Sequence, residues 1–193
     1  MKVGIIDCGG ANLNSIYYSF KRIWIDSFIS NTIKDLSLAD GYILPGVGSA
    51  GKVMENLNSN NLINFIQDTN KPTLGICIGM QILFEHSEED DTDCLGIFNG
   101  NVKQFDSAND LPVPQMGWNL VNSGSDNRLN GYYYFANSYY AETSSNTIAK
   151  CNYGVEYSAI VKKDNYLGCQ FHPEKSSNIG EQFLKIFLEQ LWR

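Results

Sequence analysis

Histidine is scarce in this chain. Its 193 residues contain two, His86 and His172, so imidazole chemistry near neutral pH has two candidates. The five cysteines, Cys8, Cys77, Cys94, Cys151 and Cys169, are odd in number and widely spaced, with no Cys-x-x-Cys pair. That excludes a disulfide framework and a zinc site. No metal and no cofactor are expected. No apolar run approaches the ~18 residues of a membrane span. Met1 to Asp7 has no n-region, h-region or cleavage box. A membrane is not expected as a partner, and the cytoplasm, with reduced thiols, is the expected location. Basic charge is short as well. Fourteen Lys+Arg against 21 Asp+Glu leave a net charge of −7 with no basic cluster, which argues against nucleic acid as the ligand.

What is there is ordinary globular composition, 43% hydrophobic and 18% charged. A chain of this length buries roughly 70% of the surface its unfolded form exposes, and one domain over residues 1–193 is expected.

The first half alternates short apolar runs with helical patterns. Val3 to Ile6 reads as a buried strand that stops at Asp7-Cys8-Gly9-Gly10. Asn12 to Arg22 reads as a helix, with Leu13, Ile16, Tyr17 and Phe20 on one face. Strands are expected over Ile23–Ile29, Asp40–Leu44 and Pro72–Ile76. A helical stretch over 50–68 is expected to break at Asn58-Ser59-Asn60-Asn61, and another helix is expected from Ile78 to His86. Strand–helix alternation of this kind implies an α/β fold, an open, mostly parallel central sheet with helices on both faces. In the second half, short strands between Asn/Gly/Ser turns predict added antiparallel hairpins, and Ile179 to Trp192 a closing amphipathic helix. The acidic run from Glu85 to Asp93 reads as a solvated loop, with His86 at the surface; its spacing is not that of an EF-hand.

Gly75-Ile76-Cys77-Ile78-Gly79 lies between a predicted strand and a predicted helix. It has the form of a nucleophile elbow with cysteine in place of serine. The sulfur stands at a helix N-terminus, where the dipole favours thiolate and the N–H of Ile78 can face an oxyanion. A thiol nucleophile needs a base, and His172 follows a predicted strand in Phe171-His172-Pro173-Glu174. Pro173 holds His172 extended, and Glu174, two residues on, can fix its tautomer. Pro45-Gly46-Val47-Gly48 ends another strand. It lacks the features of a phosphate loop but can donate backbone N–H groups to an oxyanion beside Cys77.

Gly75 to Gln81 together with His172-Pro173-Glu174 resembles the class I glutamine amidotransferase family. Asp7 to Leu13, Pro45 to Gly48, Val113-Pro114-Gln115-Met116-Gly117-Trp118-Asn119 and Phe171 to Ser177 extend the likeness over the chain. They are most similar to the glutaminase subunits of bacterial imidazole glycerol phosphate synthase. The resemblance implies that Cys77 attacks the side-chain amide of glutamine, His172 carries protons and Glu174 orients it. Gly46, Val47, Gly48 and the N–H of Ile78 would hold the oxyanion. Gln81, Tyr134 and Ser138 would contact substrate. Trp118, Asn119 and Lys175 would face a (β/α)8 cyclase that receives the ammonia in a heterodimer. Low activity in isolation is also implied.

The chain departs from the family's usual residues at Cys8, Ala11, Gln115 and Asn137, the last two where histidine is common. None of these is Cys77, His172 or Glu174. Three other readings remain open on the residues: a paralogous ammonia-supplying subunit of surface-polysaccharide sugar biosynthesis, a non-catalytic binding subunit, and a cysteine peptidase.

Overall fold

The computed structural model describes residues 1–9, 12–46, 48–106 and 111–192. Its main sheet has nine strands. Four come from the first half of the chain: β1 (Lys2–Ile6), β2 (Asp26–Ser30), β3 (Gly41–Leu44) and β4 (Thr73–Ile76). Their connecting helices are α1 (Leu13–Arg22), α2 (Ile33–Leu36), α3 (Ala50–Ser59) and α4 (Leu62–Gln67). The break between α3 and α4 falls where the asparagines predict it: Asn61 takes the left-handed conformation, with φ 57°.

After β4 come the single-turn helix α5 (Ile78–Gln81) and the short strands β5 (His86–Ser87), β6 (Thr92–Asp93) and β7 (Asn101–Gln104). The antiparallel strands are β8 (Gln115–Asn122), β9 (Gly131–Asn137), β10 (Tyr139–Ala141), β11 (Thr147–Asn152) and β12 (Glu156–Lys163). Strand β13 (Tyr166–Cys169) and helix α6 (Ser177–Leu188) follow.

Across the main sheet the order is β2-β1-β3-β4-β13-β12-β11-β8-β9. Its first five positions pair parallel, and from β13 outward the pairing is antiparallel. The α/β class and the added hairpins are therefore as expected. A second, four-stranded sheet, β10-β7-β5-β6, was not.

Residues alternate between the two faces of a strand, and the parallel strands are apolar on both. Val3, Ile5 and Ile43 join Ile16 and Phe20 of α1 and Phe183, Leu184 and Phe187 of α6 in one core. Ile6, Tyr42 and Leu44 join Leu36, Val53, Leu57, Leu62 and Ile66 in the other. Helices thus cover both faces. No helix among the described residues is long and apolar enough to cross a membrane.

Two expectations need correction. The helix after Cys77 is one turn, not a stretch to His86. Leu83 N–H turns back to Met80 O at 3.1 Å, and the chain enters β5 at His86. The acidic run is not a free loop either. It forms β5, a 3-10 turn over Glu89–Asp91 and β6.

Candidate active site

Cys77 leaves β4 with φ 54° and ψ −113°, a conformation that costs on the order of 1–3 kcal/mol and persists only where the surroundings hold it. They do so on both sides. Cys77 N–H donates to Cys169 O on β13 at 2.8 Å, and Cys77 O accepts from Met80 and Gln81 N–H at 3.0 and 3.1 Å. The bend packs against the end of β3. A Cβ on Gly79 would sit 1.9 Å from Leu44 O, so no side chain fits there.

His172 follows β13, the parallel neighbour of β4. Its N–H donates to Tyr134 O at 2.9 Å, and its carbonyl accepts from Ser176 Oγ at 2.7 Å and Lys175 N–H at 3.0 Å. A 3-10 turn, Pro173–Lys175, then swings Glu174 back. Nδ1 of His172 lies 2.9 Å from Oε1 of Glu174, and their side chains are 9% and 2% exposed. Asn12 Nδ2 donates to the same Oε1 at 3.4 Å. Burial works against the imidazolium, but the Cys77 sulfur, its hydrogen-bond partner, and the Glu174 carboxylate outweigh it and push the His172 pKa up to about 10. The ring holds its proton beside the sulfur through the neutral range.

Cys77, His172 and Asn12 border a cavity of about 350 Å³, within the range of small-ligand sites. Gly46, Gly48 and Ile78 line one wall. A Cβ on Gly46 would fall 2.2 Å from Ile78 N, so the two backbones are in contact only because Gly46 has none. Val47 lies outside the described residues. Ser138 and Gln81 line the cavity too. Gln81 Nε2 is committed internally, to Tyr139 O at 2.9 Å and Gln170 Oε1 at 3.0 Å. Gln170 Nε2 in turn reaches Cys77 Sγ at 3.7 Å. Only Oε1 of Gln81 is left to meet a ligand as an acceptor.

A model of the family described as "Glutamine amidotransferase class-I" matches residues 5–191. The chain belongs to this family. Among its relatives, "Imidazole glycerol phosphate synthase subunit HisH" of Vibrio parahaemolyticus is 41% identical, over 97% of this chain and 98% of that protein. "Imidazole glycerol phosphate synthase subunit HisH 2" of Campylobacter jejuni is 43% identical, over 99% and 100%. A crystal structure of a glutamine amidotransferase superposes with a TM-score of 0.79 at 15% identity, covering 99% of each chain. It shares the fold.

Within this class I amidotransferase, two of the expected residues sit differently. Tyr134, expected at the substrate, is outside the cavity lining. Its ring stands 6.2 Å from that of Trp118, with Lys175 Nζ 5.9 Å above it. Its carbonyl holds His172. Asn119, expected to face a partner, turns to the other face of β8 and donates Nδ2 to Asn152 O at 2.9 Å. The turn Glu89–Asp91 contributes Glu89 to the cavity wall. Burial pushes the Glu89 carboxyl up, while the bond from Ala50 N–H pulls it down and Asp90 raises it further.

Sequence reasoning missed Glu89 and Gln170. No motif marks Glu89. Gln170 had a signal, standing two residues before His172 in an extended segment and so on the same side. Asn137 also lines the cavity; its Nδ2 donates to Tyr139 O at 2.9 Å, and its buried Oδ1 has no partner among the described residues. His86 lies elsewhere, 3.3 Å from both Asp91 and Asp93.

Proposed function

We propose that the chain is the glutaminase subunit of imidazole glycerol phosphate synthase, splitting glutamine into glutamate and ammonia with Cys77, His172 and Glu174. The observation that carries the reading is the buried His172–Glu174 pair, 2.9 Å apart, with its ring facing Cys77 in a glutamine-sized cavity.

The thiolate of Cys77 attacks the side-chain carboxamide carbon, and the carbonyl becomes an oxyanion. Its donors are the N–H of Ile78 and the Gly46–Val47–Gly48 loop. As the C–N bond breaks, the His172 imidazolium gives its proton to the departing nitrogen, which leaves as neutral ammonia. The neutral ring then takes a proton from water, which attacks the thioester. Glutamate leaves and Cys77 is restored. Glu174 fixes the ring by its Nδ1. Glu89, a carboxylate on the cavity wall, suits the α-ammonium of glutamine. Gln81 and Ser138 complete the substrate contacts.

Neutral ammonia is the useful product, because ammonium has no lone pair to react. Delivery therefore calls for a partner at the cavity mouth. The outer hairpin β8–β9 offers one apolar face. Met116 (64% exposed), Trp118 (53%), Leu120 (37%) and Tyr132 (60%) project from it, a patch of the kind that marks an interaction surface. Met116 and Lys175 belong to the cavity lining as well, so this face reaches the site. We assign it to the (β/α)8 cyclase subunit, with Trp118 and Lys175 as contacts. Identity near 40% over whole relatives named for the synthase favours this partner over an enzyme of polysaccharide sugar synthesis. The five free thiols suit the cytoplasm.

The test is glutamate release by the chain mixed with a cyclase subunit, beside Cys77→Ala. Release that drops about 1,000-fold or more in the variant supports the reading. No release from the mixture, or equal release from both, sinks it.

A further inference from the structure

Glu89 touches two things at once. It lines the cavity, and its Oε2 accepts the N–H of Ala50, the first residue of α3, at 2.9 Å. An N-cap side chain normally takes a free N–H of the first helical turn. Ser49, in the N-cap position of α3, makes no such bond. Glu89 caps the helix from another part of the chain. The approach is close. A Cβ on Gly51 would stand 3.0 Å from Cβ of Asp90 and 3.2 Å from Oγ1 of Thr92, so the acidic turn rests directly on the helix end.

What precedes Ala50 gives this bond its importance. Only residues 45–49 separate the end of β3 from the start of α3, and they include Gly46 and Gly48 of the cavity wall, which the glutaminase reading assigns to the oxyanion. The sheet anchors the loop at Leu44. Its second anchor is the end of α3. Gly48, at φ 108°, has no atom within 4 Å of where its Cβ would be, so packing does not hold that side of the loop.

We propose that Glu89 is a positioning residue for the oxyanion loop: it fixes the loop through the N-terminus of α3 while its carboxylate faces the bound substrate. The inference rests on the glutaminase reading and adds a physical link between the substrate end of the cavity and the reacting end. A ligand ammonium on Glu89 favours the ionised carboxylate, and the ionised carboxylate is the stronger acceptor for Ala50 N–H. Occupancy at one end thus tightens the donors at the other.

The two roles separate by mutation. Ala50→Pro removes the N–H and leaves Glu89 in place. Proline is well tolerated at the first helical position, and Ser49 before it is already extended, at φ −111° and ψ 161°, as a residue before proline must be. In the chain–cyclase complex, the expected result is kcat lower by about 10-fold with KM for glutamine within about twofold. A kcat within about twofold of the unmodified chain overturns the proposal, as does a change in KM alone.

Should Ala50→Pro not fold, judged by its melting curve, Glu89→Gln and Glu89→Ala decide. Both lose the charge, and KM rises in both. Gln keeps an oxygen for Ala50 N–H and Ala does not, so kcat of the Ala variant is expected about 10-fold below that of the Gln variant. Equal kcat values overturn the proposal. Absence of glutamine hydrolysis by the unmodified complex is a separate outcome, which removes the glutaminase reading itself.

Discussion

His172 and His86 both stand beside carboxylates, at opposite ends of the scale of burial. His172 and Glu174 are 9% and 2% exposed at 2.9 Å. His86 is 32% exposed, and Asp91 and Asp93, each 3.3 Å away, project fully into solvent. Water screens the second cluster and leaves its side chains free to move. The first is nearly buried, and the backbone of His172 is held on both sides, by Tyr134 O and Ser176 Oγ. The same pair of functional groups is buried beside the Cys77 cavity in one region and lies open to solvent on a small sheet in the other. Burial with fixed partners makes the difference, not the presence of the groups.

His172→Asn should separate the regions most. Glutamine hydrolysis in the complex is expected to fall about 1,000-fold or more; a loss under tenfold would mean that the buried imidazole is not the proton carrier. Next comes Glu174→Gln, which keeps the shape of the side chain but not its charge. A fall of about 100-fold in kcat is expected from a mis-set tautomer, read in the same assay, and unchanged kcat would leave Glu174 without its orienting role.

The third effect concerns stability. His172 titrates near 6.5 when unfolded and at about 10 when folded. A raised pKa stabilises the fold fully below the unfolded value, and the contribution disappears as pH rises through the folded one. Denaturant titrations of the unmodified chain and of His172→Asn should therefore differ most below pH 6.5, with the gap closing towards pH 10. A gap that widens with pH would reverse the sign of the argument. The smallest effect is His86→Asn, expected to move the melting midpoint by less than about 2 °C and kcat by less than about twofold.

The buried site was largely legible in the sequence because tight turns need particular residues. Gly75, Gly79, Pro173 and the spacing of Glu174 from His172 carry backbone geometry in their identities. The parallel strands were legible too, since burial on both faces makes continuous apolar runs. The apolar run Ile82-Leu83-Phe84 was not. Buried turns and buried helices are both apolar throughout, and periodicity cannot tell them apart. Strand β8 also escaped, for the opposite reason. It buries Gln115 and exposes Met116, Trp118 and Leu120, so its hydropathy runs inside out. Glu89 stood among five acidic neighbours and owes its place to a turn that no local pattern announces. The positions of Tyr134, outside the cavity lining, and of Asn119, turned to Asn152, were not legible, because motif membership does not say which side of a strand a side chain takes.

The position of β13 has a consequence in time. It comes last in chain order among the nine strands of the sheet, yet it lies in the middle, between β4 and β12. It supplies the carbonyl that pins Cys77, and the imidazole follows just after it. During synthesis the thiol exists long before the elbow can be locked or its proton partner arrives. Non-local pairing of this kind is slow to form. On the glutaminase reading, a chain cut before β13 is expected to leave glutamine untouched, because neither the carbonyl that pins Cys77 nor the imidazole is then in place.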